Sequence, residues 1–154
     1  MTWGAYGRCL PPCEPYINYS PLVILCQMPS WFDIRGLDPK SEEDAAGIES
    51  AANAVKSLVE AEIAAGVPAD RIVIGGFSQG GAAAIYSALT MEKDIGAVVL
   101  LSTWLPLHQR FPGAAKANLT TPILQCHGKA DPIVPFQWGK LTSAALAALN
   151  DKHR

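Results

Sequence analysis

Several short stretches of this chain are apolar at nearly every position, and segments with helical spacing separate them. That alternation constrains the fold more than any other feature of the sequence. A strand with one wet face alternates apolar and polar side chains, whereas one that is apolar throughout is buried on both faces. Residues 22–28, the run Arg71-Ile72-Val73-Ile74, residues 97–101 and residues 123–127 are stretches of the second kind. Ile48, Ala51, Ala52, Val55, Leu58, Val59 and Ile63 recur instead at the three- and four-residue spacing of one helix face. Ser41 with Asp44 three residues later reads as a capping box ahead of them, and Gly66 as their stop. An Ala-rich helix is predicted over residues 80–90 and a last helix over residues 138–149. Buried strands alternating with amphipathic helices predict a parallel sheet with helices on both faces.

A length of 154 residues is that of one domain, and neither a linker nor an internal repeat divides the chain. With 49% hydrophobic residues there is ample material for a core, which excludes a disordered protein. A formal net charge of −2 and the lack of any Lys/Arg block argue against nucleic acid or an anionic membrane as a partner. The longest apolar run, residues 22–28, is too short to span a bilayer, so no transmembrane segment is expected. The first residues lack the basic start and long apolar stretch of a signal peptide, so a cytoplasmic location is expected. Cys9 and Cys13 are spaced loosely like metal ligands, but no matching Cys/His pair follows, and no metal site is predicted. Without a secretory signal, the Asn-x-Ser/Thr sequences at Asn18 and Asn118 read as coincidences.

Gly76-Phe77-Ser78-Gln79-Gly80 is a G-x-S-x-G sequence. Three fixed residues of average abundance occur by chance in roughly 5% of chains this long, so the motif alone is modest evidence. Its context is stronger, because a β-branched run precedes it and an Ala-rich helix follows. A nucleophile on a strained turn needs neighbours without side chains on either side, which Gly76 and Gly80 supply. Such a turn lifts the Ser78 hydroxyl above the sheet. It also aims the helix N-terminus, with the Gln79 backbone N–H, at a developing oxyanion. A plain glycine-rich turn or a phosphate-cradling loop are the alternatives, and the phosphate loop lacks its lysine.

A serine nucleophile needs a base, and the base an orienting carboxylate. Asp131 follows the last apolar stretch, in a loop opening at the carboxyl edge of a parallel sheet, where such sites form. The histidines are His108, His127 and His153. Only His153 follows Asp131, and the helix between them leads away from that edge by roughly 18 Å. His127 reads as a residue that shapes the Asp131 loop, and no catalytic histidine is identified.

Four segments in order carry a resemblance: Met28-Pro-Ser-Trp-Phe-Asp-Ile34, Gly75-Gly-Phe-Ser-Gln-Gly-Gly81, Trp104-Leu-Pro-Leu107 and Leu124-Gln-Cys-His-Gly-Lys-Ala-Asp-Pro-Ile-Val-Pro135. They are similar to the acyl-protein thioesterases, the lysophospholipase-like branch of the α/β-hydrolase superfamily. The resemblance covers residues 28–154 as a partial α/β-hydrolase domain and leaves residues 1–27 as an irregular, unassigned segment. It implies hydrolysis of palmitoyl-cysteine thioesters on proteins and of related lysophospholipid esters, with no cofactor. S-acylated proteins or lysophospholipids are then the substrates, Ser78 the nucleophile and Asp131 the triad acid. Aromatic and aliphatic residues in loops on the presumed active edge, Trp31, Trp104, Leu105, Ile133 and Trp138, are candidates for binding the acyl chain.

Family members begin with a strand and a His-Gly loop supplying a second oxyanion donor, and end past a Gly-x-x-His-type segment holding the base. Neither segment is recognised here, so the expected fold is an incomplete α/β-hydrolase, from an alternative product or an incomplete gene model. A catalytically inactive chain that binds acyl groups or a partner protein is the alternative function.

Overall fold

The computed structural model describes residues 30–36 and 41–149. Over these the chain forms α1 (Ala45–Ala64), β1 (Val73–Phe77), α2 (Gln79–Thr90), β2 (Ala97–Leu101), β3 (Ile123–Cys126) and α3 (Phe136–Leu149). The strands make one parallel sheet in the order β1-β2-β3, with Gly75 opposite Val99 and Val99 opposite Leu124. The strand expected over residues 22–28, together with Cys9, Cys13, Asn18 and His153, lies outside the described residues.

The expected helices form, with two corrections at their neighbours. Asp44, not Ser41, caps α1: its carboxylate accepts the Gly47 N–H at 3.2 Å and, from another segment, the Asp33 N–H at 3.0 Å. Asp44 thus serves as the cap itself rather than as the far member of a box one turn earlier. Gly66 does stop the helix, at φ +97°, with its N–H on Ile63 O and the Val67 N–H on Glu62 O, the paired bonds of a Schellman motif. The second correction is in β1, which runs past Ile74 through Gly75, Gly76 and Phe77. Glycine has little strand preference of its own. Pairing with β2 supplies it, at a spacing so close that a Cβ on Gly75 would lie 3.0 Å from Val99 O.

Ile74, Val98, Leu100 and Ile123 share one face of the sheet and pack with Ile85 and Leu89 of α2, Val59 of α1 and Leu146 of α3. All three described helices therefore cover the same face. Between the sheet and α1, α2 is buried on every side from Gly81 to Leu89, and its alanines permit that close approach. The opposite face presents Val73, Phe77, Leu101 and Leu124, which are 59%, 68%, 41% and 50% exposed. Two helical layers were expected, and the described residues supply one.

Asn118 has a structural task. It is fully buried at φ +62°, its amide donates to Ala88 O and Lys93 O, and its Oδ1 accepts the Ile95 N–H and the Thr121 hydroxyl. A sugar on Nδ2 would replace one of these donated hydrogens and has no room at a fully buried side chain, so the sequon is no acceptor in the folded chain.

Candidate active site

Ser78 joins β1 to α2 with φ +52° and ψ −123°, a conformation that costs a residue with a Cβ about 1–3 kcal/mol. Its surroundings enforce that backbone. The Ser78 N–H donates to Leu101 O at 2.9 Å. The Ser78 carbonyl accepts three donors: the Gly81 N–H at 3.0 Å, the Ala82 N–H at 3.1 Å and the Thr103 hydroxyl at 2.6 Å. Its own hydroxyl makes no capping bond to the helix, although Ser78 stands at the N-cap. A hydroxyl at a strained turn, on the N-terminal end of a helix and free of structural duty, is positioned for chemistry.

The glycines divide the steric work differently from the motif. A Cβ on Gly76 would lie 2.2 to 2.4 Å from the backbone of Gly80 and Gly81, and one on Gly81 would meet Gly76 O and the Thr103 side chain at 2.8 Å. Around Gly80 the nearest such atom is Trp31 Nε1 at 3.7 Å. The crossing of strand and helix thus needs Gly76 and Gly81, while Gly80 leaves open space beside the serine.

Ser78, Ser102 and the Asp131 loop follow the carboxyl ends of the neighbouring strands β1, β2 and β3. Asp131 Oδ1 accepts the Ile133 N–H at 2.9 Å and the Val134 N–H at 3.0 Å. Those two backbone donors, aided by the Ser102 hydroxyl and by His127, hold the carboxyl below the usual carboxylate range. Asp131 is therefore an anion at neutral pH, with its turn fixed. His127 takes the loop-shaping place read from the sequence. Its side chain is 3% exposed, Nε2 donates to Val134 O at 2.9 Å, and the ring meets Phe136 edge-on. Asp131 Oδ2 lies 4.0 Å from Nε2, beyond hydrogen-bond reach.

Gln79 contributes more than its backbone. Its side chain accepts the Trp31 N–H at 2.9 Å and donates to Phe32 O at 2.5 Å, which ties the Trp31–Phe32 backbone to the serine turn. Beside this tie opens a cleft with an apolar side formed by Phe32, Ile48, Trp104, Val134 and Trp138 and a polar side formed by Asp33, Arg35, Ser41, Glu42, Glu43, Asp44 and His108. Of the residues read as acyl-binding, Trp104 and Trp138 line this cleft and Trp31 stands beside Gly80. Ile133 is 64% exposed on the Asp131 turn, away from the cleft lining. Leu105 departs from the expectation: it is 4% exposed in the central core, with its N–H on Thr142 Oγ1. An apolar residue next to a loop tryptophan faces inward here because α3 passes behind it.

Sequence reasoning passed over Ser102, Thr103 and the Gln79 side chain. The one signal was position, since Ser102 and Thr103 directly follow a predicted strand. Among the described residues no cluster of three or more His, Cys, Asp or Glu side chains is placed to hold a metal ion.

The family model for phospholipases and carboxylesterases matches residues 16–154, beginning twelve positions ahead of the resemblance read from residue 28. The chain belongs to that family. It is 42% identical over 129 residues to acyl-protein thioesterase 1 of Debaryomyces hansenii, covering 82% of this chain and 56% of that protein. With acyl-protein thioesterase 1 of Mycosarcoma maydis it shares 41% over 143 residues, covering 81% and 58%. Crystal structures agree: Arabidopsis thaliana SOBER1 superposes with a TM-score of 0.77 at 30% identity, covering 84% of this chain and 63% of that one. Acyl-protein thioesterase 2 of Zea mays gives 0.67 at 30% identity, covering 79% and 59%. The sheet and helices are thus those of an α/β-hydrolase. This member of the family spans just over half the length of the curated relatives it matches. No described helix is long and apolar enough to cross a membrane.

Proposed function

We propose that the chain carries the nucleophile of a serine acyl hydrolase acting on palmitoyl-cysteine thioesters of proteins, and on related lysophospholipid and carboxylic esters, in the cytoplasm. The strained serine turn supports this reading most directly, with a hydroxyl at the N-terminus of α2 and a fixed anionic carboxylate on the same sheet edge. The names of the relatives support the thioester as substrate.

Ser78 Oγ attacks the acyl carbonyl carbon and gives its proton to a base, which Asp131 would orient and which no described residue supplies. The Gln79 N–H and the end of α2 stabilise the oxyanion. Collapse of the tetrahedral intermediate breaks the C–S bond, and the cysteine sulfur leaves with the proton from the base. Water then hydrolyses the acyl-serine to the free fatty acid. The acyl chain is assigned to the apolar side of that cleft, along Trp104 and Trp138, and to Trp31 beside Gly80; each methylene buried there contributes about 0.8 kcal/mol.

A fluorophosphonate probe is expected to label Ser78, located by mass spectrometry of the modified peptide, and Ser78→Ala to abolish the label. Labelling of a different serine would overturn the assignment. One observation favours a second reading, acyl binding without turnover: among the described residues, no histidine is hydrogen bonded to Ser78 or to Asp131. Saturable binding of a palmitoyl thioester with no thiol released would select that reading.

A further inference from the structure

The serine turn depends on a residue outside the motif. Thr103 is fully buried just past β2, and its hydroxyl lies 2.6 Å from the Ser78 carbonyl oxygen. Its Cβ and methyl stand against Gly81, where an added Cβ would come within 2.8 Å of both. The second acceptor within range, Trp104 O at 3.5 Å, is too distant to compete for the single proton.

That carbonyl belongs to the peptide whose other end is the Gln79 N–H. A trans peptide is planar, with C=O and N–H pointing in opposite directions. Whatever fixes the carbonyl fixes the N–H. The Gly81 and Ala82 amides reach the same oxygen from within α2, so they move with the helix. Thr103 reaches it from the sheet and locks the peptide plane to the edge that also carries Asp131. A hydrogen bond to the carbonyl further polarises the peptide and strengthens its N–H as a donor.

We propose that Thr103 is a positioning residue for the oxyanion site, holding the Gln79 N–H toward the substrate through the Ser78 carbonyl. The inference rests on the reading of Ser78 as nucleophile.

Two substitutions separate positioning from packing. Thr103→Val keeps the methyl against Gly81 and removes the hydroxyl; Thr103→Ser does the reverse. With p-nitrophenyl octanoate as substrate, Thr103→Val is expected to lower kcat about tenfold with KM unchanged, less than the 10²–10³-fold cost of losing an oxyanion donor outright. Thr103→Ser is expected to keep kcat within about threefold although it gives up the packed methyl. A residue that merely packs would do the reverse, losing activity in Thr103→Ser and keeping it in Thr103→Val. Independently of turnover, the Ser78 carbonyl ¹³C and Gln79 amide ¹⁵N resonances should move in Thr103→Val and stay in Thr103→Ser. Unchanged resonances in Thr103→Val, or a kcat within twofold of the parent while Ser78→Ala is inactive, would overturn the role of Thr103 alone. Full activity in Ser78→Ala would overturn the nucleophile assignment and this inference with it.

Discussion

A Cβ on Gly76 would lie 2.2 Å from the Gly80 carbonyl carbon and 2.3 Å from its oxygen, both backbone atoms that cannot swing aside. Gly76→Ala is therefore expected to cost about 3 kcal/mol, the upper part of the range for overpacking. Gly80→Ala puts its methyl into open space beside Trp31 and removes a glycine from the first turn of α2, so a change between zero and about 0.5 kcal/mol of stabilisation is expected. Urea unfolding of the two variants checks the pair, and equal losses would contradict the steric account. The motif identified Ser78 because local spacing is visible in sequence. Which glycine meets which backbone atom depends on where α2 crosses β1, and spacing does not encode that.

Asp44 accepts two N–H groups, one from the first turn of α1 and one from Asp33 on the segment leading to the cleft. Its removal should destabilise the chain by about 1–2 kcal/mol, toward the upper end for a helix cap because a second donor is stranded. Ser41→Ala, which removes no bond to the helix, should stay within about 0.5 kcal/mol. Thermal unfolding of both variants is the measurement, and similar shifts would return the cap to Ser41. Helix existence was legible because the 3.6-residue period of α1 and the Gly66 stop are local. The end of β1 was not legible, since Gly75 and Gly76 become strand only through β2.

Core residues of β1, β2 and β3 and of all three described helices meet on one side of the sheet, while Phe77 and Leu124 stand 68% and 50% exposed on the other. A patch of that kind binds apolar probes. Phe77→Ser combined with Leu124→Ser is expected to lower the fluorescence of bound anilinonaphthalene sulfonate and to change the unfolding free energy by less than about 1 kcal/mol. A loss of about 3–5 kcal/mol, the size seen when core side chains are truncated, would mean that this face is covered in solution.

By itself the sequence determined the alternation of buried strands and helices, the serine turn and the carboxylate two strands away, because each is written in a contiguous stretch of chain. It also carried the family, through four separated segments that the family match later spanned. Tertiary structure decided what depends on two distant segments meeting. Leu105 points into the core because Thr142 of α3 takes its N–H, and Gln79 grips Trp31 and Phe32 some 48 and 47 positions away. Thr103 closes on the Ser78 carbonyl because parallel pairing sets the end of β2 beside the end of β1. A contact between segments so far apart has no local signature, since its energy appears only once the sheet has formed.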